Sequence, residues 1–267
     1  MLANTSPVRE RDFEVYLQGS YRNGTNIRGD SDVDIVVQFN SAFRSNYDFL
    51  PRDERPPAYD TAFSDATYGW SSFRNDVVNA LRAYYDTSLV VEGNKSVRVV
   101  GASGRLDADL VVSLQYRKYQ NFGSAKDLFI EGITFRTARE GRWVVNFPKL
   151  HYQKGVDKNS ETGGLYKPTV RLFKNARTHL LDQRAIGQSL APSYMLECYL
   201  YNVPADRFAP DCRTTFCNVL NWLNGANLSS FLCQNEQLAL FGNTPEQWSE
   251  ASAKSLQSVL VNLWNNW

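Results

Sequence analysis

The chain predicts an α+β fold, with a mixed-sheet half over residues 1–148, a helical half over 149–267 and a working cleft between them. Three observations predict it. β-Branched runs separated by Gly-containing turns fill the first half, and a change of hydrophobic period follows Phe147-Pro148. The length of 267 residues is also enough for one large domain or two small ones.

In chain order, 13–17 alternates as a strand and runs into Gly19-Ser20, read as a turn. The run 33–39 (VDIVVQF) reads as a buried strand, and 41–60, with Pro51, Pro56 and Pro57, as an irregular connection. Phe73, Val77, Ala80, Leu81 and Tyr84 have helical spacing and predict a helix over 71–85. Two paired strands, 96–100 and 108–114, flank a GASG turn, and 132–135 with 142–145 suggests a hairpin. Helices are predicted over 167–181, 192–201, 211–223 and 249–264. Pro168 fits a first helical turn, where a missing N–H costs nothing.

Composition narrows the class. Hydrophobic residues make up 43% and charged residues 21%, as in a globular protein. No apolar run approaches the ~18 residues of a membrane span. The segment MLANTSPVRERDF has no signal-peptide core, so no membrane partner and a cytoplasmic location are expected. The net charge of +1 is unevenly spread: residues 134–184 carry 11 basic and 4 acidic side chains, a concentration suited to a polyanionic ligand. Cys198, Cys212, Cys217 and Cys233 form no CxxC pair and lie far in sequence from His151 and His179. That argues against zinc and for buried free thiols.

The chemistry concentrates in Gly19-Ser20 and in 31–37. Asp32 and Asp34 stand two apart at the head of an apolar strand, so period-2 geometry puts both carboxylates on one face. Two like charges held that closely call for a divalent cation, and hard oxygen ligands suit Mg2+. A two-metal site needs a third carboxylate. The run 105–112 supplies Asp109, after which the uninterrupted apolar stretch begins; Asp107, on the same face, is the fallback. Gly19 lets backbone approach a phosphate, and the Ser20 hydroxyl with the following N–H groups can cradle it.

These residues, with Gly24-Thr25, Arg28-Gly29 and Ser31-Asp32-Val33-Asp34, resemble the active-site signature of the polymerase-β-like nucleotidyltransferases. Within that superfamily the match is to the group holding oligoadenylate synthase, cyclic GMP–AMP synthase and the bacterial cGAS/DncV-like enzymes (CD-NTases), the cyclic oligonucleotide synthases of anti-phage signalling. The segment 166–177 resembles the family helix carrying a phosphate-binding lysine, matched by Lys174, and 192–197 resembles its Ser-Tyr helix start. The resemblance implies that Ser193 contacts triphosphate and Tyr194 stacks on a base. It also implies two Mg2+ ions on Asp32, Asp34 and Asp109, with Mn2+ as a substitute. By chemistry alone Ser193 is equally a helix N-cap, and Lys167, Arg171, Lys174 and Thr178 form one helical stripe.

The implied activity is the joining of nucleoside triphosphates into a cyclic di- or trinucleotide second messenger, with release of pyrophosphate and a downstream effector that senses the product. Linear transfer (oligoadenylate synthesis, RNA tailing or protein nucleotidylation) is the alternative, although tailing suits a more basic protein. No nucleic-acid activator is evident, and bases, linkage and ring size are not legible.

Overall fold

The computed structural model describes residues 8–27, 32–48, 50, 52, 66–102, 104–121 and 128–266. By contacts the chain divides into two compact units. The first is Met1–Gln18 with Asp30–Pro148, and the second is Gly19–Gly29 with Lys149–Trp267. Residues 19–27 thus belong with the helices although they follow the first strand in sequence.

The first unit is built on a seven-stranded mixed sheet, β1 (Phe13–Leu17), β2 (Val33–Asn46), β3 (Val90–Glu92), β4 (Val97–Val99), β5 (Ala108–Asn121), β6 (Leu128–Arg136) and β7 (Trp143–Asn146). The order β1-β2-β5-β4-β3 makes β5 the spine. On one edge β5 runs parallel to β2; on the other it pairs antiparallel with β4 near its start and with β6 further along. One sheet face carries Val37, Phe39, Leu110, Val112 and Leu114 against the helix Trp70–Tyr85. That helix contributes Phe73, Val77 and Leu81, each at most 1% exposed, at i, i+4 and i+8. Burial of this depth contributes about 1.5–3 kcal/mol per side chain, so Phe73→Ala would cost about 3–5 kcal/mol. The helix stops at Asp86, whose φ of 78° is left-handed and whose carboxylate accepts from Ser88 N. The opposite face holds a smaller cluster of Val36, Val111, Ile133, Phe135 and Val144.

The predicted strands and hairpins are all present, with two differences. The segment after residue 39 is not irregular at once: β2 continues to Asn46, because a bulge between Phe39 and Phe43 re-registers it on β5. Gly19-Ser20 is not a plain turn but opens a one-turn helix, Gly19–Asn23, bounded by Gly19 at φ 67° and Gly24 at φ 68°.

In the second unit the four predicted helices are Tyr166–Asp182, Ser193–Tyr201, Cys212–Gly225 and Glu250–Asn265. A fifth, Pro148–Glu161, escaped prediction because it buries only His151 and Gly155 and so shows little apolar period. In chain order the helices are α1 (Gly19–Asn23), α2 (Trp70–Tyr85), α3 (Pro148–Glu161), α4 (Tyr166–Asp182), α5 (Ser193–Tyr201), α6 (Cys212–Gly225) and α7 (Glu250–Asn265). Asp211 caps α6 through Thr214 N at 2.8 Å, and Ser249 caps α7 through Ser252 N at 3.0 Å. The core is aromatic: Phe173 stacks on Phe216, and Tyr199, Phe231, Phe241 and Trp248 pack as one group. All four cysteines are free thiols, but only Cys198 and Cys233 are buried, whereas Cys212 is exposed at the start of α6. No helix among the described residues is long and apolar enough to cross a membrane.

Candidate active site

Parallel pairing of β2 with β5 puts Asp34 opposite Asp109, with Val33 opposite Ala108. In a parallel pair, residues in register point to one face, here the face of Val36 and Val111, away from α2. Asp32 immediately precedes β2, and the bond from Val33 N to Asp107 O, 2.9 Å, fixes the two strand heads together. Burial first, and the nearby charge of Asp32 second, push the Asp109 carboxyl above the usual carboxylate range; Arg98 and a hydrogen bond from Ser96 oppose this without prevailing. Negative charge is therefore crowded at this strand end.

Asp107 is different. Its carboxylate accepts from the Arg98 guanidinium and from the backbone N–H of Gly101, and these hold it below the usual range. Arg98 also reaches within 3.9 Å of Asp32. Asp107 is thus engaged structurally, while Asp109 carries the like-charge strain that a cation would relieve. The donor set of Asp32, Asp34 and Asp109 fits magnesium: all are hard carboxylate oxygens. Among the described residues no three His, Cys, Asp or Glu side chains are gathered into a ready-made metal cage. Arg28, Gly29 and Ser31 of the motif lie outside the described residues.

The second unit holds the other predicted residues. Gly19 and Ser20 start α1, both half-buried. Ser193 is the first residue of α5 and is exposed; Pro192 occupies the cap position and no side-chain cap bond is made, so the alternative capping role is not taken. Tyr194 is 37% exposed and stacks on His151, with centroids 5.3 Å apart and planes 24° apart. Its hydroxyl turns inward toward Cys198 and Cys233, and burial holds that phenol well above its ordinary range.

Lys174 is not part of an evenly exposed stripe. It is 4% exposed, with its ammonium 3.0 Å from Glu197 Oε2 and 3.3 Å from both Thr25 O and Thr25 Oγ1. A cation placed in the helix interior takes the nearest carboxylate. Lys167 and Arg171, on the same row, remain partly exposed. Arg171 donates to Gly24 O at 2.6 Å, and Lys167 and Arg22 lie 5.8 and 4.0 Å from the Tyr152 ring. No ion pair to a carboxylate is made by Arg22, Lys167 or Arg171 among the described residues.

Sequence reasoning missed Glu197, which collects Lys174 and Thr25 on one oxygen and Asn23 (2.9 Å) and His151 (3.3 Å) on the other. A signal was present: Glu197 is the single charge in the apolar helix Ser193–Tyr201, and a lone acid there is buried with a partner. Burial pushes its carboxyl up, but the His151 hydrogen bond and the Lys174 charge outweigh this and bring it down to about 2.

A mixed sheet presenting a strand-end carboxylate pair, followed by a helical domain, defines a nucleotidyltransferase. Residues 6–79 match the nucleotidyltransferase domain, and residues 153–265 match the cGAS/DncV-like nucleotidyltransferase C-terminal helical domain. The chain is 52% identical to the cyclic UMP-AMP synthase of Rhodothermus marinus, over 95% of this chain and 85% of that protein. It is 42% identical to the cyclic nucleotide synthase CdnE01 of Staphylococcus haemolyticus, over 100% of this chain and 90% of that one. The structure of the Rhodothermus marinus CdnE c-UMP-AMP synthase with Apcpp and Upnpp superposes with a TM-score of 0.87 at 51% identity, covering 96% of this chain and 85% of that one. The chain belongs to the cGAS/DncV-like nucleotidyltransferases and is an enzyme of that class. The expectation of cyclic nucleotide synthesis agrees with what these relatives are.

Proposed function

We infer that this chain makes cyclic UMP-AMP from UTP and ATP. The observation that carries the chemistry is the parallel register of Asp34 with Asp109 beside Asp32, and the 52% identity to a cyclic UMP-AMP synthase indicates the product. Asp32, Asp34 and Asp109 would hold two Mg2+ ions, with Mn2+ as a substitute. Bound there, they would activate an acceptor ribose hydroxyl and neutralise the departing pyrophosphate.

The protein's own groups bind and orient. Gly19 and Ser20 meet phosphate with backbone N–H and hydroxyl, and Ser193 does so from the N-terminus of α5, where the helix dipole favours an anion. Tyr194 offers a ring already braced by His151 for a base to stack on. Lys174 belongs to this set through Thr25: it bonds both oxygens of that residue and so supports the Gly19–Thr25 segment from behind, its own charge balanced by Glu197. Lys167 and Arg22 add direct cationic contact. In each of two rounds the hydroxyl oxygen bonds to an α-phosphorus, the α–β P–O bond breaks and pyrophosphate leaves; the second round closes the ring. A dedicated effector that senses the cyclic product, as part of an anti-phage response, completes the proposal.

The test incubates the protein with each radiolabelled nucleoside triphosphate in the presence of all four and Mg2+, then treats the product with phosphatase. A phosphatase-resistant species labelled only from UTP and ATP, with a mass of one UMP plus one AMP less two waters, supports the proposal. Label from other bases corrects the substrate pair. A primer-dependent ladder replaces cyclisation with tailing.

A further inference from the structure

Glu197 does more than neutralise a lysine. Its two carboxylate oxygens are shared between the nucleotide segment and the helices: Oε2 takes Thr25 Oγ1 at 2.8 Å and Lys174 Nζ at 3.0 Å, and Oε1 takes Asn23 Nδ2 at 2.9 Å and His151 Nε2 at 3.3 Å. Asn23, Thr25, His151, Lys174 and Glu197 are all at most 6% exposed, so water cannot replace these bonds cheaply. No side chain of segment 19–25 is part of the helical core cluster; Arg171 to Gly24 O, Lys174 to Thr25 O, Arg22 over the Tyr152 ring and these two side-chain bonds are among the contacts that tether it.

Helix geometry adds a second link. Glu197 stands four residues after Ser193 and three after Tyr194, on their side of α5. The His151 ring that donates to Glu197 is also the one on which Tyr194 stacks. The His151 Nδ1 atom is buried with no partner. Facing a carboxylate oxygen, His151 Nε2 is the ring nitrogen that this network uses.

We propose that Glu197 is a positioning residue of the nucleotide site, setting the Gly19–Thr25 segment against the Ser193–Tyr194 helix start through one buried carboxylate. This rests on the reading that Gly19, Ser20, Ser193 and Tyr194 contact the nucleotide. Glu197 itself touches no substrate. Its role is to hold the two phosphate-contacting groups and the stacking ring in one fixed arrangement before nucleotide arrives, which lowers the ordering cost of binding.

The test cuts the link from the segment side, where no buried charge is orphaned. Thr25→Val and Asn23→Leu keep side-chain size and remove the two bonds to Glu197, and Thr25→Ser restores one hydroxyl. Binding of non-hydrolysable UTP and ATP analogues is measured by calorimetry on the full chain, alongside Tm and kcat at saturating nucleotide. The double variant is expected to weaken binding about tenfold or more, with kcat falling by less than about threefold, and Thr25→Ser to bind within about threefold of the parent. Unchanged binding in the double variant overturns the proposal, as does Thr25→Ser being as weak as Thr25→Val. Ser20→Ala separates the two levels. If it leaves binding unchanged, the nucleotide does not use this segment and the underlying reading fails. If Ser20→Ala weakens binding and the double variant does not, the positioning role alone fails.

Discussion

Replacing Glu197 by Gln should destabilise the chain by several kcal/mol, by an amount that depends on pH. The carboxylate is fully buried and its carboxyl is brought from 4.5 to about 2, a difference worth on the order of 3 kcal/mol. Glutamine keeps the shape but has one acceptor oxygen in place of two, enough for Asn23 or Thr25 and not both, and it leaves the Lys174 ammonium buried without a counter-charge, which costs about 3–5 kcal/mol. Both routes give the same scale. A carboxyl lowered by folding contributes stability that is complete above its unfolded value near 4.5 and is lost as pH falls through the folded value. The gap between parent and variant should therefore be full at about pH 7 and more than half closed by about pH 3. Urea midpoints with tryptophan fluorescence at several pH values measure it. A gap under about 1 kcal/mol, or one that stays constant down to about pH 3, would refute the reading of Glu197 as a buried, ionised partner of Lys174.

The remaining expectations concern chemistry and grip. Asp32→Asn, Asp34→Asn and Asp109→Asn should each abolish product formation without loss of fold by circular dichroism, whereas Asp107→Asn should keep activity, because Asp107 is occupied by Arg98 and Gly101 N. Chelation of divalent ions should stop synthesis and added Mg2+ or Mn2+ should restore it. Mg2+ affinity, followed by titration, should fall as pH drops toward the raised carboxyl of Asp109, since proton and metal compete for the same oxygens. Tyr194→Ala should raise the nucleotide KM about tenfold and Tyr194→Phe much less, since stacking uses the ring; equal effects would point to the hydroxyl held between Cys198 and Cys233.

Much of this protein is set locally and is therefore legible along the chain. β2, β5 and the helices α2, α4, α5, α6 and α7 announce themselves because one face of each must be apolar at a fixed period. The carboxylate positions are legible for the same reason: a period of two puts Asp32 with Asp34, and Asp107 with Asp109, on common faces. Tertiary structure decided what depends on partners far away in sequence. Pairing of β4 with β5 brings Arg98 to Asp107, and pairing of β2 with β5 brings Asp34 to Asp109, which separates two aspartates of identical local pattern. The bulge that carries β2 on to Asn46 likewise depends on β5 for its bonds. Lys174 and Thr25 are 149 residues apart, and Asn23 and Glu197 are 174 apart. A cation on a polar helix row looks the same in sequence whether it faces water or a buried acid; the acid it meets is supplied by chain folding, and desolvation then forces the pair together.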